Sequence, residues 1–210
     1  MIYQSMLNNF KIPKRFRDKT FDNYNIKKGN EGAFKKVKDY ASEFEEHSKN
    51  GTWLVLAGGY GLGKTHLALA AGKESLKYFA KKKAEKSRST TSSLQKVKFI
   101  SSSEMIQSIR DSYDSDQLDE MQLMNGYKKA PLLIIDDLGT EKASEWQQEK
   151  IYIILNYRYN ELLPTIITTN LTGPELKDHI SPRVVERMIE AADRGKYMLS
   201  FKGKSYRRSK

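Results

Sequence analysis

One glycine-rich turn limits what this chain can fold into. A compact apolar run at 52–57 precedes the turn, and a helical pattern running from Lys64 to about Lys86 follows it. The eight residues at the junction fit the pattern G-x-x-x-x-G-K-[ST] completely: Gly58, Gly59, Tyr60, Gly61, Leu62, Gly63, Lys64 and Thr65. Strand, loop and helix in this order are the context in which the pattern binds phosphate. The turn therefore predicts an α/β domain with a nucleotide site.

The spacing of the turn has a physical reason. Successive backbone N–H groups must face inward around a phosphate, and glycine permits both the close approach and the dihedral angles. The partial positive charge at the start of the following helix adds to the attraction. We expect Lys64 to neutralise the β- and γ-phosphates and Thr65 to ligate Mg²⁺. His66 is counted with the nucleotide-binding residues.

Polar residues also end two other apolar segments. The run Leu132-Leu133-Ile134-Ile135 leads into Asp136 and Asp137, and the run at 164–169 leads into Asn170. Parallel strands bring such ends to one edge of a sheet, so Asp136 is predicted to hold the magnesium. Asp137 and Asn170 are predicted to orient the attacking water. The alternative for Asp136, Asp137 and Asn170 is that they only cap turns.

The remaining pattern predicts a largely parallel sheet covered by helices. Strands are expected at 97–100, 131–135, 164–170 and 197–201, and helices at 31–49, 102–113, 144–159, 174–179 and 182–192. Strands alternating with helices are typical of α/β domains. Residues 1–30 are interpreted as a short N-terminal arm and linker, and residues 31–210 as the nucleotide-binding domain.

Charge indicates a polyanionic partner. The chain has 37 basic and 26 acidic residues, and the basic excess is uneven: residues 73–98 carry +7, residues 101–150 carry −6 and residues 196–210 carry +6. This polarity suits nucleic acid, although lysine-rich helix faces can also be merely solvated. The chain has no cysteine and no apolar run of 18 residues, so a cytoplasmic protein with no membrane partner is expected.

Several sequence motifs stand out: GGYGLGKTHL at 58–67, LLIIDDLGTEK at 132–142 with Trp146 following, TTN at 168–170, GKSYRR at 203–208, and the linker segments at 12–16 and 20–24. In these motifs the chain resembles the AAA+ ATPases, and within them the DnaC/DnaI-type helicase loaders and the IstB-like transposition helpers. The resemblance covers nearly the whole chain. It implies an AAA+ core, the cofactors ATP and Mg²⁺, and a slow ATPase that a partner or DNA stimulates.

The resemblance also implies further site residues and partners. Arg183 and Arg187 match the region of the family's arginine finger, with Arg187 favoured, and Arg207 matches a sensor arginine that reaches the nucleotide. The alternative is that these arginines only make surface ion pairs or add charge to the tail. Asp137 stands where many AAA+ proteins have Glu, which is consistent with slow turnover. The loaders carry a separate N-terminal domain that binds the helicase, so here helicase binding is expected to use the arm or the ATPase surface, or to be absent.

The function expected from these features is ATP-dependent loading of a replicative hexameric helicase onto single-stranded DNA by a homo-oligomer. An IstB-like transposition helper and a non-hydrolysing, nucleotide-gated replication adaptor remain alternatives. Two regions are candidates for the DNA contact: the helix at 102–113, and the end of the helix that follows the turn. The second region carries Lys81, Lys82, Lys83, Lys86 and Arg88, with Tyr78 and Phe79 interpreted as core or half-buried.

Overall fold

The computed structural model describes residues 2–86, 97–112, 117–140, 142–203 and 205–206. The strands are β1 (Leu54–Gly58), β2 (Lys98–Ser101), β3 (Leu133–Asp136), β4 (Thr165–Thr169) and β5 (Met198–Phe201). The helices are α1 (Ile2–Asn9), α2 (Glu31–Ser42), α3 (Phe44–Asn50), α4 (Lys64–Lys86), α5 (Ser102–Asp111), α6 (Gln117–Lys128), α7 (Glu145–Asn160), α8 (Gly173–His179) and α9 (Pro182–Ala191). Among these residues, no helix combines the length and the apolarity that a bilayer crossing requires.

All neighbouring strands in the sheet are parallel, in the order β2-β3-β4-β1-β5. In this order β4 separates β1 from β3, and residue Leu56 of β1 lies opposite Thr168 of β4. The carboxyl ends of β1, β3 and β4 therefore meet at one edge, where open α/β sheets bind their ligands. The prediction of a parallel α/β sheet is confirmed.

Burial explains why the central strands are apolar throughout. Every residue of β3 and β4 is buried, as are Leu54, Val55 and Leu56 of β1, because helices cover the sheet. Helix α4 packs on β1, β3 and β4 and also contacts α1, α2 and α3. A second set of helices contains α6, α7, α8 and α9: α6 contacts α7, α7 contacts α9, and α9 contacts α8. The strands that end at the site edge are thus fixed in a buried apolar core.

Local sequence signals explain most helix boundaries. Ser101 and Ser144 each form a capping box, with Glu104 and Gln147 respectively, at the starts of α5 and α7. The single helix predicted at 31–49 is wrong, because the chain leaves the helical conformation at Glu43 and restarts as α3. Within the predicted N-terminal arm, Ile2–Asn9 form α1, whose Met6 is buried, and Phe10 just after it is buried in the core.

Candidate functional site

The glycine-rich turn joins β1 to α4 at the carboxyl edge of the sheet. Gly58, Gly61 and Gly63 have φ angles of 140°, 71° and 85°, which residues other than glycine rarely adopt. A Cβ at Gly58 would also collide with the backbone carbonyl of Phe201 on β5. The side chain of Tyr60, at the tip of the turn, is 64% exposed. The backbone of the turn therefore has the conformation that a phosphate-binding loop needs.

Lys64 projects back from the start of α4 beneath this turn and is only 4% exposed. Its Nζ donates to the carbonyl oxygens of Gly58 and Gly59, at 2.6 and 2.8 Å, and to Oδ1 of Asn170, at 2.7 Å. A buried ammonium is tolerated because its protons are accepted by oxygens. The positive charge of Lys64 is thus fixed beside the first backbone N–H groups of α4. The charge and these N–H groups together favour binding of an anion.

Asp136, at the end of β3, lies across from the turn and is 7% exposed. Its Oδ1 accepts hydrogen bonds from the hydroxyls of Thr65, at 2.8 Å, and Thr168, at 2.6 Å. Burial is the main cause that raises the pKa of Asp136 above its ordinary value, and the neighbouring charge of Asp137 adds to the effect. A cation placed here would favour the charged carboxylate.

The donor set fits magnesium. Mg²⁺ at nucleotide sites is held by one or two protein oxygens, with phosphate oxygens and waters completing its shell. The Thr65 hydroxyl and the Asp136 carboxylate present two such oxygens within 2.8 Å of each other, beside the Lys64 ammonium. The arrangement can accept a Mg²⁺ ion that is shared with a bound phosphate.

Asp137 and Asn170 form a second polar pair at the same edge. Asp137 has a φ of 54°, which turns the chain away from β3, and its N–H donates to Thr168 Oγ1 at 2.9 Å. Asn170 Nδ2 donates to Asp137 Oδ1 at 3.0 Å, while its Oδ1 accepts from Lys64. Lys64, Asn170 and Asp137 therefore form one hydrogen-bonded chain along the edge, as expected for residues that would position water beside a γ-phosphate.

Thr168 was missed by the sequence reasoning as a site residue. It is fully buried and bridges the two acids by accepting from Asp137 N and donating to Asp136. The sequence did contain a signal for Thr168: it precedes Asn170 by two residues, and alternate residues of a strand share a face.

His66 has a different environment from the phosphate-binding residues. Its Nε2 donates to the backbone carbonyl of Thr20 at 2.7 Å, so this nitrogen carries the proton.

Arg183 and Arg187, the two candidate arginines among the described residues, lie outside this cluster. Arg183 is exposed on α9. The guanidinium of Arg187, one turn later, lies over the ring of Tyr152 at 5.0 Å and that of Tyr159 at 5.7 Å. Its Nη atoms donate to the Arg183 carbonyl and to the Tyr152 hydroxyl, both at 3.3 Å. The arginine-finger assignment stays a prediction, and Arg207 lies outside the described residues.

Comparisons with known proteins identify the family of the chain. Residues 16–191 match the family described as the bacterial DnaA ATPase domain. The chain is 28% identical over 193 residues to the replicative helicase loader DnaI of Bacillus subtilis (strain 168), with 90% of this chain and 56% of DnaI covered. It therefore spans little more than half the length of that relative.

Solved structures share the fold. The crystal structure of the DnaC helicase loader has a TM-score of 0.72 and 27% identity, and the match covers 90% of this chain and 100% of that chain. The replication initiator DnaA bound to AMPPCP and single-stranded DNA has a TM-score of 0.66 at 23% identity, with 91% and 51% covered. Such P-loop cores of the AAA+ type are built on the same parallel sheet.

Proposed function

The chain belongs to the family of bacterial DnaA ATPase domains, and on that premise we propose that it is an ATP-dependent loader of a replicative helicase. The observation that carries the proposal is the convergence of Lys64, Thr65 and Asp136 at one edge of the sheet, with Thr65 and Asp136 joined at 2.8 Å. The relatives named as helicase loaders supply the cellular task.

Each polar residue has a separate task in hydrolysis. Lys64 holds the phosphates, and Thr65 and Asp136 hold the metal. Bound Mg²⁺ supplies the positive charge that offsets charge developing on the phosphoryl oxygens. Asp137, fixed by Asn170 at 3.0 Å, orients the attacking water and takes up its proton. The short side chain of Asp137 is consistent with slow turnover.

The surface best suited to single-stranded DNA lies where α5 meets the start of α7. The ring of Trp146 on α7 is half-buried, and the guanidinium of Arg110 on α5 lies 5.6 Å from its centroid. Lys150 Nζ lies 5.8 Å from the same ring and pairs with Glu120 at 3.0 Å. An aromatic platform beside cations is the combination that binds bases and phosphates of single strands.

This surface borders the proposed catalytic acid. A cavity of about 370 Å³ is lined by Arg110 and Gln107 on α5, by Gln147 on α7, and by Asp137 and Thr140 after β3. DNA bound at Arg110 would therefore lie next to Asp137, the residue that orients the water. Because Arg110 and Asp137 line the same cavity, DNA bound there would stimulate ATP hydrolysis.

The other DNA candidate is less well placed. At the end of α4, Lys82 Nζ lies 5.2 Å from the ring centroid of Tyr78, while Phe79 is buried in the core. Tyr78 is half-buried, so the interpretation of Tyr78 and Phe79 as core or half-buried is confirmed. Arg88 lies outside the described residues. This end of α4 is more than 15 residues from the phosphate loop, so we favour the α5–α7 surface.

Helicase loading is tested by transfer onto single strands. The chain is incubated with a cognate hexameric helicase, ATP and single-stranded DNA coated with its binding protein, and DNA-bound helicase is measured. We expect transfer with the wild-type chain and none with Lys64→Ala, because phosphate binding needs the Lys64 ammonium. Equal transfer without the chain, or with Lys64→Ala, would refute loading. Capture of a transposase but not of the helicase would favour the transposition helper.

Completion of the site by a second subunit is tested by mixing variants. Arg183→Ala and Arg187→Ala are each combined in equal amounts with Lys64→Ala, and ATP hydrolysis is measured. If one arginine acts on the neighbour's nucleotide, that variant is inactive alone but regains activity with Lys64→Ala, because mixed interfaces contain one intact site. No recovery with either arginine variant would contradict a finger in this helix.

A further inference from the structure

Two consecutive carbonyl groups of the phosphate loop are held from outside the loop. The backbone N–H of Tyr206, in the C-terminal tail, donates to the Gly61 carbonyl at 2.8 Å. The hydroxyl of Tyr24, in the N-terminal linker, donates to the Leu62 carbonyl at 3.2 Å. The two donors come from opposite ends of the chain and meet on the same side of the loop.

Peptide geometry converts these two bonds into a constraint on the amides. A peptide unit is planar and trans, so each carbonyl points opposite to the N–H of the next residue. Holding the Gly61 carbonyl therefore directs the Leu62 N–H away from the tail, and holding the Leu62 carbonyl directs the Gly63 N–H away from the linker. Both N–H groups belong to the stretch of loop that cradles phosphate.

Tyr24 has almost no freedom to move away from the loop. It is 8% exposed, its ring stacks on Phe34 with centroids 5.4 Å apart, and it meets the His66 ring edge-on at 5.1 Å. A Cβ at Gly63 would lie 2.7 Å from the Tyr24 ring, so the loop backbone is in direct contact with it. Burial raises the pKa of the Tyr24 phenol, which stays protonated and remains a donor.

The linker that carries Tyr24 is itself fastened to α4. His66 Nε2 donates to the Thr20 carbonyl at 2.7 Å, and Lys73 Nζ donates to the carbonyls of Lys19 and Arg17 at 2.6 and 2.8 Å. The tail is fastened to the same linker, because the Tyr206 hydroxyl donates to the Asn25 carbonyl. Lys27 Nζ also lies 4.0 Å from the Tyr206 ring centroid.

We propose that Tyr24 and Tyr206 are positioning residues, which hold the Gly61 and Leu62 peptide planes so that the phosphate-binding amides face inward. The inference rests on the proposed nucleotide binding and adds that the linker and the tail set the affinity of the loop for phosphate. Neither residue touches the phosphates; each acts through a carbonyl of the loop.

The direct test is Tyr24→Phe, which keeps the ring packing and removes only the donor. The affinities for ATP and for pyrophosphate are measured by calorimetry. We expect both dissociation constants to rise by about 2- to 10-fold, the effect of losing one net hydrogen bond. Tyr206→Phe, which frees the tail from Asn25, should act in the same direction.

Tyr40→Phe is the matched control. Tyr40 is also a buried tyrosine whose hydroxyl donates to a backbone carbonyl, that of Thr52 at 2.8 Å, but it lies near the start of β1, away from the loop. This variant should lose similar stability and keep wild-type affinity for both ligands. The proposal is overturned if Tyr24→Phe binds ATP as the wild type does, or if Tyr40→Phe weakens binding equally. Failure of the wild-type chain to bind ATP would instead refute the proposed function.

Discussion

The Thr65 hydroxyl donates a hydrogen bond to the Asp136 carboxylate across 2.8 Å, which joins the first turn of α4 to the last residue of β3. The two residues are 71 positions apart in the chain, and β4 lies between β3 and β1, the strand that precedes α4. A metal bound here would bridge the element that holds phosphate and the element that carries the acids. The contact therefore joins the two residues that we propose hold magnesium beside a bound nucleotide.

Asp136→Asn should have opposite effects on activity and stability. The substitution removes the negative charge with which the protein would hold the metal, so the rate of ATP hydrolysis should fall by at least about 100-fold. Without nucleotide or magnesium the variant should unfold at a higher temperature, because burial raises the pKa of Asp136 and its charge is costly in the fold. Phosphate release and thermal unfolding check the two parts. A variant that hydrolyses ATP at the wild-type rate would contradict the assignment.

Trp146→Ala should weaken binding to single-stranded DNA by about 5- to 100-fold, because stacking of one base on an aromatic ring is lost. If the wild-type chain neutralises about four phosphates, log affinity should fall with log salt at a slope near −3, and Arg110→Ala should make that slope shallower. Fluorescence anisotropy at several salt concentrations measures both.

The Lys82–Tyr78 pair at the end of α4 is the control for the Arg110–Trp146 pair, since each places a cation beside an aromatic ring. Lys82→Ala should leave the affinity and the salt slope unchanged. A larger loss in Lys82→Ala than in Arg110→Ala would move the DNA site to α4, and a slope near zero in the wild type would remove the DNA proposal.

Arg158→Met should lower the free energy of unfolding by more than about 3 kcal/mol. Arg158 is fully buried and has no ion-pair partner in the part of the chain that is described. Its guanidinium donates to the hydroxyl of Thr165 and to the backbone carbonyls of Tyr127, Lys128, Ala130 and Pro164. These bonds tie the end of α6 to the start of β4. Urea unfolding is the measurement, and Arg158→Lys, with three donors, should recover only part of the loss. A loss below about 1 kcal/mol in Arg158→Met would contradict this role.

Stability should fall as the pH is lowered from 7.5 to 5.5. Burial lowers the pKa values of His47 and His66 below their ordinary 6.5, with the acids Asp18 near His66 and Glu46 near His47 opposing the shift. The unfolded chain then binds more protons than the folded chain in this range, so the free energy of unfolding decreases as the pH falls. His66→Gln should show a shallower pH dependence in urea unfolding. An identical slope would exclude His66 as a contributor.

The sequence indicated where the residues of the candidate site lie better than it indicated what surrounds them. Gly58, Lys64 and Asp136 could be placed because their backbone and charge requirements are local, and because parallel strands bring their ends together. Thr168 escaped prediction because its role depends on the register of β4 against its neighbours. Tyr24 and Tyr206 escaped it because their contacts with the loop depend on how both ends of the chain fold back.

The misplaced helix boundary has a different cause. Val37, Tyr40, Ala41 and Phe44 share one helical spacing, so the pattern predicts a continuous helix. In the structure Tyr40 packs against the rings of Phe44 and His47, as it would on one helix, yet the backbone leaves the helical conformation at Glu43, where ψ is 18°. The spacing of apolar residues indicates a shared face and carries no signal for this local break.

Binding of ATP to Lys64→Ala tests the central claim most directly. Calorimetry with ATP and Mg²⁺ should give binding for the wild type and none for Lys64→Ala, because the buried ammonium is the charge that holds the phosphates. Lys77→Ala, which removes an exposed lysine paired with Glu74 on the same helix, should bind as the wild type does. Unchanged ATP affinity in a folded Lys64→Ala would contradict the account of this site.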